Sequence, residues 1–302
     1  MMTDRQTKSD IYQTVTDRIV AAIEAGAPMF EMPWNRQSAT TLPVNVHSKN
    51  AYRGVNILSL WVSQMKECYS SNIWGTYKQW QARGAQVRKG EKASLVVFYK
   101  EIEREVENDG DSKPGKLLLA RASFVFNAEQ VDGFSVPTPP VHEDKVEVIQ
   151  SVADFVKATK AIVIHGGSKA YYRPRTDTIH IPQKALFKGT TTSTPTESYY
   201  STLLHECVHW SGSETRLDRN LSNRFGDEAY AMEELIAELG AAFLCASLNI
   251  TLDPRPDHAA YIDSWLKVLK SDKKAVFTAA SQASQAVDYL YGLQPAMNAE
   301  AA

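Results

Sequence analysis

The residues best placed to do chemistry are His205-Glu206-Cys207-Val208-His209, an H-E-x-x-H run inside a segment with helical character. On a helix, positions four apart share a face, so two imidazoles can point at one cation with Glu206 beside them. Zinc suits imidazole, and with three protein ligands it keeps one position open for water. It lowers the pKa of that water towards neutrality, and Glu206 is then the expected general base. The bland alternative is a pair of surface histidines on an amphipathic helix. The surroundings argue against it. Thr194-Pro195-Thr196-Glu197 has the form of a capping box with Pro at N1, which starts a helix there. Leu203, Leu204, Cys207, Val208 and Trp210 supply apolar surface to bury it, and Gly212 is expected as the C′ residue that ends it. Cys207 should turn away from both histidines into the core.

A third ligand is needed. His209-Trp210-Ser211-Gly212 continues as H-x-x-G, as in metzincins, but the next ligand position there is Thr215, a poor zinc ligand. Downstream, Met232-Glu233-Glu234-Leu235-Ile236-Ala237-Glu238-Leu239-Gly240 resembles the second active-site helix of gluzincins. That resemblance implies Glu234 as ligand and Glu238 as the acid that orients a metal-binding histidine. Both lie on one helical face, so the two roles are exchangeable at this point. Glu233 points about 100° away from Glu234 and is expected in solvent. The expected cofactor is one divalent metal ion, with zinc the first candidate.

Positioning such a site takes a domain, and the 302 residues suggest two. We place the first at 1–136, a linker at 137–145, the second at 146–291 and a disordered tail at 292–302. The linker assignment rests on Pro137-Thr138-Pro139-Pro140 and the polar residues after it. In the first domain, helices are expected from Ile11 to Ala25, from Ile57 to Glu67, and from Trp74 to near Gly84. Ser94–Lys100 and Leu117–Asn127 read as antiparallel strands, and the acid-rich 101–115 between them as a solvated hairpin tip. The second domain reads as a helix from Val146 to Thr159, a strand at Ile162-Val163-Ile164 and a hairpin over 171–182. After the first metal helix come one from Asp227 to Leu248 and two more, His258–Leu269 and Lys274–Leu290. The fold class is therefore α+β.

The overall charge of −2 excludes little, but its distribution is uneven. Residues 76–100 hold six basic side chains (Lys78, Arg83, Arg88, Lys89, Lys92, Lys100) against Glu91 alone, with Trp74, Tyr77, Trp80, Phe98 and Tyr99 among or beside them. Cations track phosphates and aromatic faces stack on unpaired bases, so the pattern suits single-stranded DNA as a partner of the first domain; the equal alternative is that Trp80, Phe98 and some of the other rings are core and the basic residues a solvated face. Arg53, Trp74, Lys78, Trp80, Arg88, Lys89 and Lys92 are the expected contacts. The second half carries 16 basic and 20 acidic residues, no balance for a polyanion binder. With no signal peptide, no apolar run long enough to span a bilayer and three scattered cysteines, a cytoplasmic protein without a membrane partner is expected.

Longer motifs carry a family resemblance. Pro43-Val44-Asn45, Tyr52-Arg53-Gly54-Val55-Asn56, Trp74, Trp80 and the run Gly84 to Lys92 are similar to the N-terminal domain of ArdC-type antirestriction proteins. His205 to Gly212, Arg216-Leu217-Asp218-Arg219 and Glu233 to Ala242 are similar to their zincin-like metallopeptidase domain. The resemblance implies a plasmid-encoded protein that binds single-stranded DNA and shields incoming DNA from restriction, with a protein substrate it does not identify. Two other readings stand beside a peptidase. One is protection by occupancy with a vestigial metal site. The other is a nuclease, weakened because two histidines and one carboxylate on helices do not match two-metal nuclease sites. For a peptidase, Tyr230, one turn before Glu234, is the expected oxyanion donor, with Tyr171, Tyr172 and His180 as rivals.

Overall fold

The structure is a computed structural model that describes residues 10–26, 41–108, 111–136, 145–189, 193–219, 221, 228–250 and 258–295. The expected linker lies outside these residues but for Lys145. So does the expected tail beyond residue 295.

In the first half, α1 (Ile11–Gly26) buries Val15, Ile19, Val20 and Ile23, the stripe its period predicts. α2 (Val55–Glu67) follows Gly54, whose φ of 56° is left-handed. Strands β1 (Val44–Asn45), β2 (Ile73–Gly75), β4 (Ser94–Asn108) and β5 (Asp111–Asn127) form one sheet in the order β1-β2-β5-β4. Helix α3 (Tyr77–Gln81) sits after β2, and β3 (Gln86–Val87) pairs with β6 (Val131–Asp132). β4 and β5 are antiparallel as expected, but their ladder continues through the acid-rich stretch to Asn108↔Asp111 rather than opening into a tip. β4 is an edge strand, and α2 blunts that edge. Asn56 exchanges two hydrogen bonds with Val97 (Nδ2 donates to the carbonyl at 2.8 Å, Oδ1 accepts from N–H at 2.7 Å), and Ser59 donates to the Leu95 carbonyl at 2.7 Å.

The second half comprises α4 (Lys145–Ala158), the sheet β7-β9-β8 (Ile162–His165, Thr178–Ile181, Tyr171–Arg173) and helices α5 (Pro195–Ser211), α6 (Glu228–Ser247), α7 (His258–Ser271) and α8 (Ala275–Gly292). β8 and β9 are the expected hairpin. At the other end of this half, Gly292 still belongs to α8, and Gln294 donates to the carbonyls of Leu290 and Phe155, so order runs past the expected start of the tail.

The two domains are not separate cores. One buried apolar cluster runs from Val15, Trp61 and Val96 to Leu204, Phe243 and Val276. Trp61 packs on Phe243 at 5.8 Å, and Tyr12 meets Phe277 edge-on at 4.7 Å. Thr16 donates to the Lys273 carbonyl, and Asp10 pairs with Lys273. An isolated first half would expose the apolar faces of α1 and α2 that now cover α7 and α8. Among the described residues no helix is long and apolar enough to cross a membrane.

Candidate metal centre and nucleic-acid face

α5 begins at the expected cap. The Thr194 hydroxyl accepts from the Glu197 N–H, and the Glu197 side chain accepts from the Thr194 N–H, with Pro195 at N1. α5 and α6 cross closely because α6 has no side chain at Gly240. A Cβ there would stand 2.8 Å from Cγ2 and 2.9 Å from Cγ1 of Val208. This contact aligns Glu233, Glu234 and Glu238 of α6 with the histidines of α5.

The two Nε2 atoms of His205 and His209 face each other at 3.1 Å, and the Glu234 carboxylate lies 3.6 Å from each. Among the described residues these three form the cluster whose donor atoms all fall within 4.8 Å of one another. Tetrahedral zinc, with ligands at 2.0–2.2 Å, separates its ligand atoms by roughly 3.3–3.5 Å. The donors therefore fit one ion. Glu238 lies on the other side of the ring, 3.6 Å from Nδ1 of His205. That Nδ1 is buried and makes no hydrogen bond. Glu206, next to His205 in sequence, is 2% exposed and is outside the donor cluster.

Glu233 is not in solvent. It is 8% exposed, and its Oε1 lies 3.0 Å from Nδ1 of His209. The direction 100° away from Glu234 is occupied by α5 and by Arg219, which donates from Nε to Oε2 and from Nη2 to Oε1, each at 3.0 Å. Gly212 also departs from expectation. Its φ of −81° is right-handed, so a left-handed cap is not what calls for glycine there. The reason is space: a Cβ would meet the Arg219 guanidinium at 2.7 Å. Arg219 and Glu233 fall in runs that carry the family resemblance, but no local spacing gives either its role, because both act across tertiary contacts.

The electrostatics follow from burial among charges. Desolvation opposes a charged His209, but the Glu234 and Glu233 carboxylates overcome it and push the imidazole up to about 10. Glu234 is held well below the usual carboxylate range by both histidines, against its own burial. Glu233 is likewise lowered, against burial, by His209 and Arg219. Cys207 is fully buried, and burial pushes its thiol up to about 12, so it is an inert core residue.

Around this centre, Tyr230 is half-buried on α6. Its rivals are engaged elsewhere: Tyr171 stacks on His180 at 4.7 Å, and Tyr172 donates to Asp177 while accepting from Arg216. β8 is an edge strand packed against α5.

The nucleic-acid residues divide. Lys78, Lys89 and Lys92 are exposed. Arg53 is exposed and pairs with Asp288 of α8. Arg88 is partly committed, donating to Glu91 at 2.8 Å and to the Glu129 carbonyl at 2.5 Å. Trp74 and Trp80 are both 0% exposed and cannot stack on bases, which corrects the sequence expectation for them. Trp74 lies on β2, a central strand, edge-on to Tyr69. Trp80 anchors a small second core with Val46, Val87 and Val131, its indole N–H donating to the Phe126 carbonyl at 3.1 Å. Among the described residues of this half, Tyr77, Phe98, Tyr99 and Phe124 are exposed, and Phe124 escaped the sequence reading.

Comparison with known proteins fits both halves. Residues 9–130 match the family model described as the N-terminal domain of anti-restriction factor ArdC, and residues 150–282 match that of a zincin-like metallopeptidase. The metal-free crystal structure of the antirestriction ArdC protein from plasmid R388 superposes with a TM-score of 0.77 at 40% identity, covering 94% of this chain and 97% of that one. The chain belongs to the ArdC antirestriction family. The Mn(II)-bound structure of the same ArdC protein gives a TM-score of 0.74 at 38% identity, covering 94% and 98%. An uncharacterized protein, y4eC of Sinorhizobium fredii (strain NBRC 101917 / NGR234), is 51% identical over 97% of this chain and 96% of its own length. DNA primase TraC of Escherichia coli is 34% identical over 96% of this chain, which spans only 28% of that protein's length.

Proposed function

We propose that this ArdC-family protein binds single-stranded DNA and carries a metal-dependent peptidase site, and that it protects incoming plasmid DNA from host restriction. The observation that carries the peptidase reading is the convergence of His205, His209 and Glu234, with Glu206, the neighbour of His205 in sequence, buried. In this reading the three converging residues are the ligands. Glu238 and Glu233 orient the histidines from behind. The Mn(II) bound by the R388 relative supports a divalent ion, with zinc the first candidate from the ligand set. Such an ion supplies positive charge that polarises a carbonyl and acidifies water. Glu206 accepts the proton of the attacking water. Tyr230 is offered as the hydrogen-bond donor to the oxyanion. An extended peptide is the natural substrate, because β8, packed against α5, is an edge strand among the described residues and suits strand addition.

For DNA, the proposed face combines Lys78, Lys89 and Lys92 with the exposed rings of Tyr77, Phe98 and Phe124. The match to the ArdC N-terminal domain and the similarity of nearly the whole chain to part of a DNA primase support it. Glu206 separates a peptidase from protection by occupancy. Glu206→Gln should retain DNA binding, lose proteolysis and, if cleavage is the means of protection, lose protection. A variant that still protects fully would leave occupancy as the mechanism.

A further inference from the structure

Arg216-Leu217-Asp218-Arg219 has no role in the ligand set, yet the chain after α5 is shaped to deliver one of its side chains. The Leu217 N–H returns to the Ser211 carbonyl at 3.1 Å and the Arg219 N–H to the Gly212 carbonyl at 2.9 Å, with Asp218 left-handed at φ 49°. Arg216 fastens the turn from outside, donating to the Trp210 carbonyl at 2.6 Å and lying over its ring at 3.9 Å. Arg219 is thereby carried under the C-terminal end of α5, where its side chain is 6% exposed. It donates to the Val208 carbonyl at 2.6 Å, to the Ser211 hydroxyl at 3.1 Å, and through two N–H groups to Glu233. Gly212 leaves the space for it.

We propose that Arg219 and Glu233 form a positioning clamp for the metal ligand His209. A carboxylate can only accept, so a Glu233 oxygen 3.0 Å from Nδ1 requires the proton on Nδ1. That choice leaves Nε2, which faces His205 and Glu234, as the atom whose lone pair an ion would take once its proton has left. Arg219 fixes the Glu233 rotamer with a forked pair of donors and balances its charge, since two successive buried carboxylates would otherwise crowd one side of the centre. Arg219 also bonds the backbone and side chain of α5 itself, so ring and acid are referred to the same helix. Any disturbance of the 212–219 turn should therefore reach the metal centre. The inference rests on the proposed metal site.

The test uses the full-length protein and reads metal binding rather than turnover. Zinc affinity would be measured by chelator competition, and the absorption spectrum of the cobalt(II)-loaded protein recorded, for wild type, Glu233→Ala, Glu233→Gln and Arg219→Met. Thermal melts of the metal-free forms accompany them. The clamp predicts an affinity loss of about 10–100-fold for Glu233→Ala. It predicts a smaller loss for Glu233→Gln, which keeps an acceptor for Nδ1–H, and a changed cobalt spectrum in Arg219→Met. Losing both residues together should cost little more than losing the worse one, because they act as a unit. Wild-type affinity and spectrum in Glu233→Ala, with only a lowered melting temperature, would reduce the pair to a structural brace and overturn the proposal. Absence of metal binding in the wild type would instead overturn the site reading, and the clamp with it. Should Arg219→Met fail to fold, the contrast between Glu233→Ala and Glu233→Gln decides.

Discussion

Metal uptake by this protein should release a proton, and the structure sets how steeply affinity depends on pH. His209 lies between the Glu233 and Glu234 carboxylates, which raise it to about 10 despite burial. An ion needs the Nε2 lone pair, so it must displace the proton. Glu234, pulled down by both histidines, is already a carboxylate and contributes none. Apparent affinity should then rise about tenfold per pH unit below pH 10, and at pH 7 it should stand about 1,000-fold below its limiting value. Chelator competition between pH 6 and 8.5, with calorimetry in two buffers of different ionisation enthalpy, reads both slope and proton count. A flat profile with no proton released would refute the electrostatic account of the site. The metal-free protein carries the matching stability signature. A histidine raised above its unfolded value of 6.5 stabilises fully below pH 6.5, and that contribution fades as pH rises through about 10. The lowered Glu233 and Glu234 contribute above about pH 4.5 and lose their contribution as pH falls through their folded values. Melting of the metal-free form should therefore be highest at mildly acidic pH.

Other outcomes follow from particular contacts. Gly240→Ala drives a methyl into Val208, so it should cost about 1–3 kcal/mol by denaturant titration and weaken metal binding by pushing α6 from α5. Lys89→Ala combined with Lys92→Ala should weaken single-strand binding and reduce the slope of log affinity against log salt by about 1.4, read by fluorescence anisotropy. Trp80→Leu, by contrast, should lower the melting temperature through the small core while leaving the salt slope unchanged.

Residues whose signal is local were legible. The capping box at Thr194, the stripe of α1 and the i,i+4 histidines are set by neighbours in sequence, and the structure reproduces each. The pairing of β4 with β5 was also readable, although the length of the ladder was not, since acids disguised its far end. What escaped was tertiary. Glu233 looked solvated because a helical wheel shows only its own helix, whereas α5 and Arg219 fill the space beside it. A basic, aromatic composition is blind to which rings are buried: it offers Trp74 for stacking and leaves a stacking and a core Trp80 equally open, whereas a central strand and a small core bury both. Gly212 was read as a backbone requirement and proved to be a steric one, set by a residue seven positions away. The shared core between the halves has no signature in sequence, because apolar stripes do not name their partners.

Three residues from two helices, His205, His209 and Glu234, should hold one ion that Glu206 does not ligate. Elemental analysis of purified wild type, His205→Ala, Glu234→Ala and Glu206→Gln after metal loading and desalting measures this directly. Wild type and Glu206→Gln should each retain one divalent ion per chain, and the two ligand variants should retain none. Full metal content in His205→Ala or Glu234→Ala, or its loss in Glu206→Gln, would contradict it.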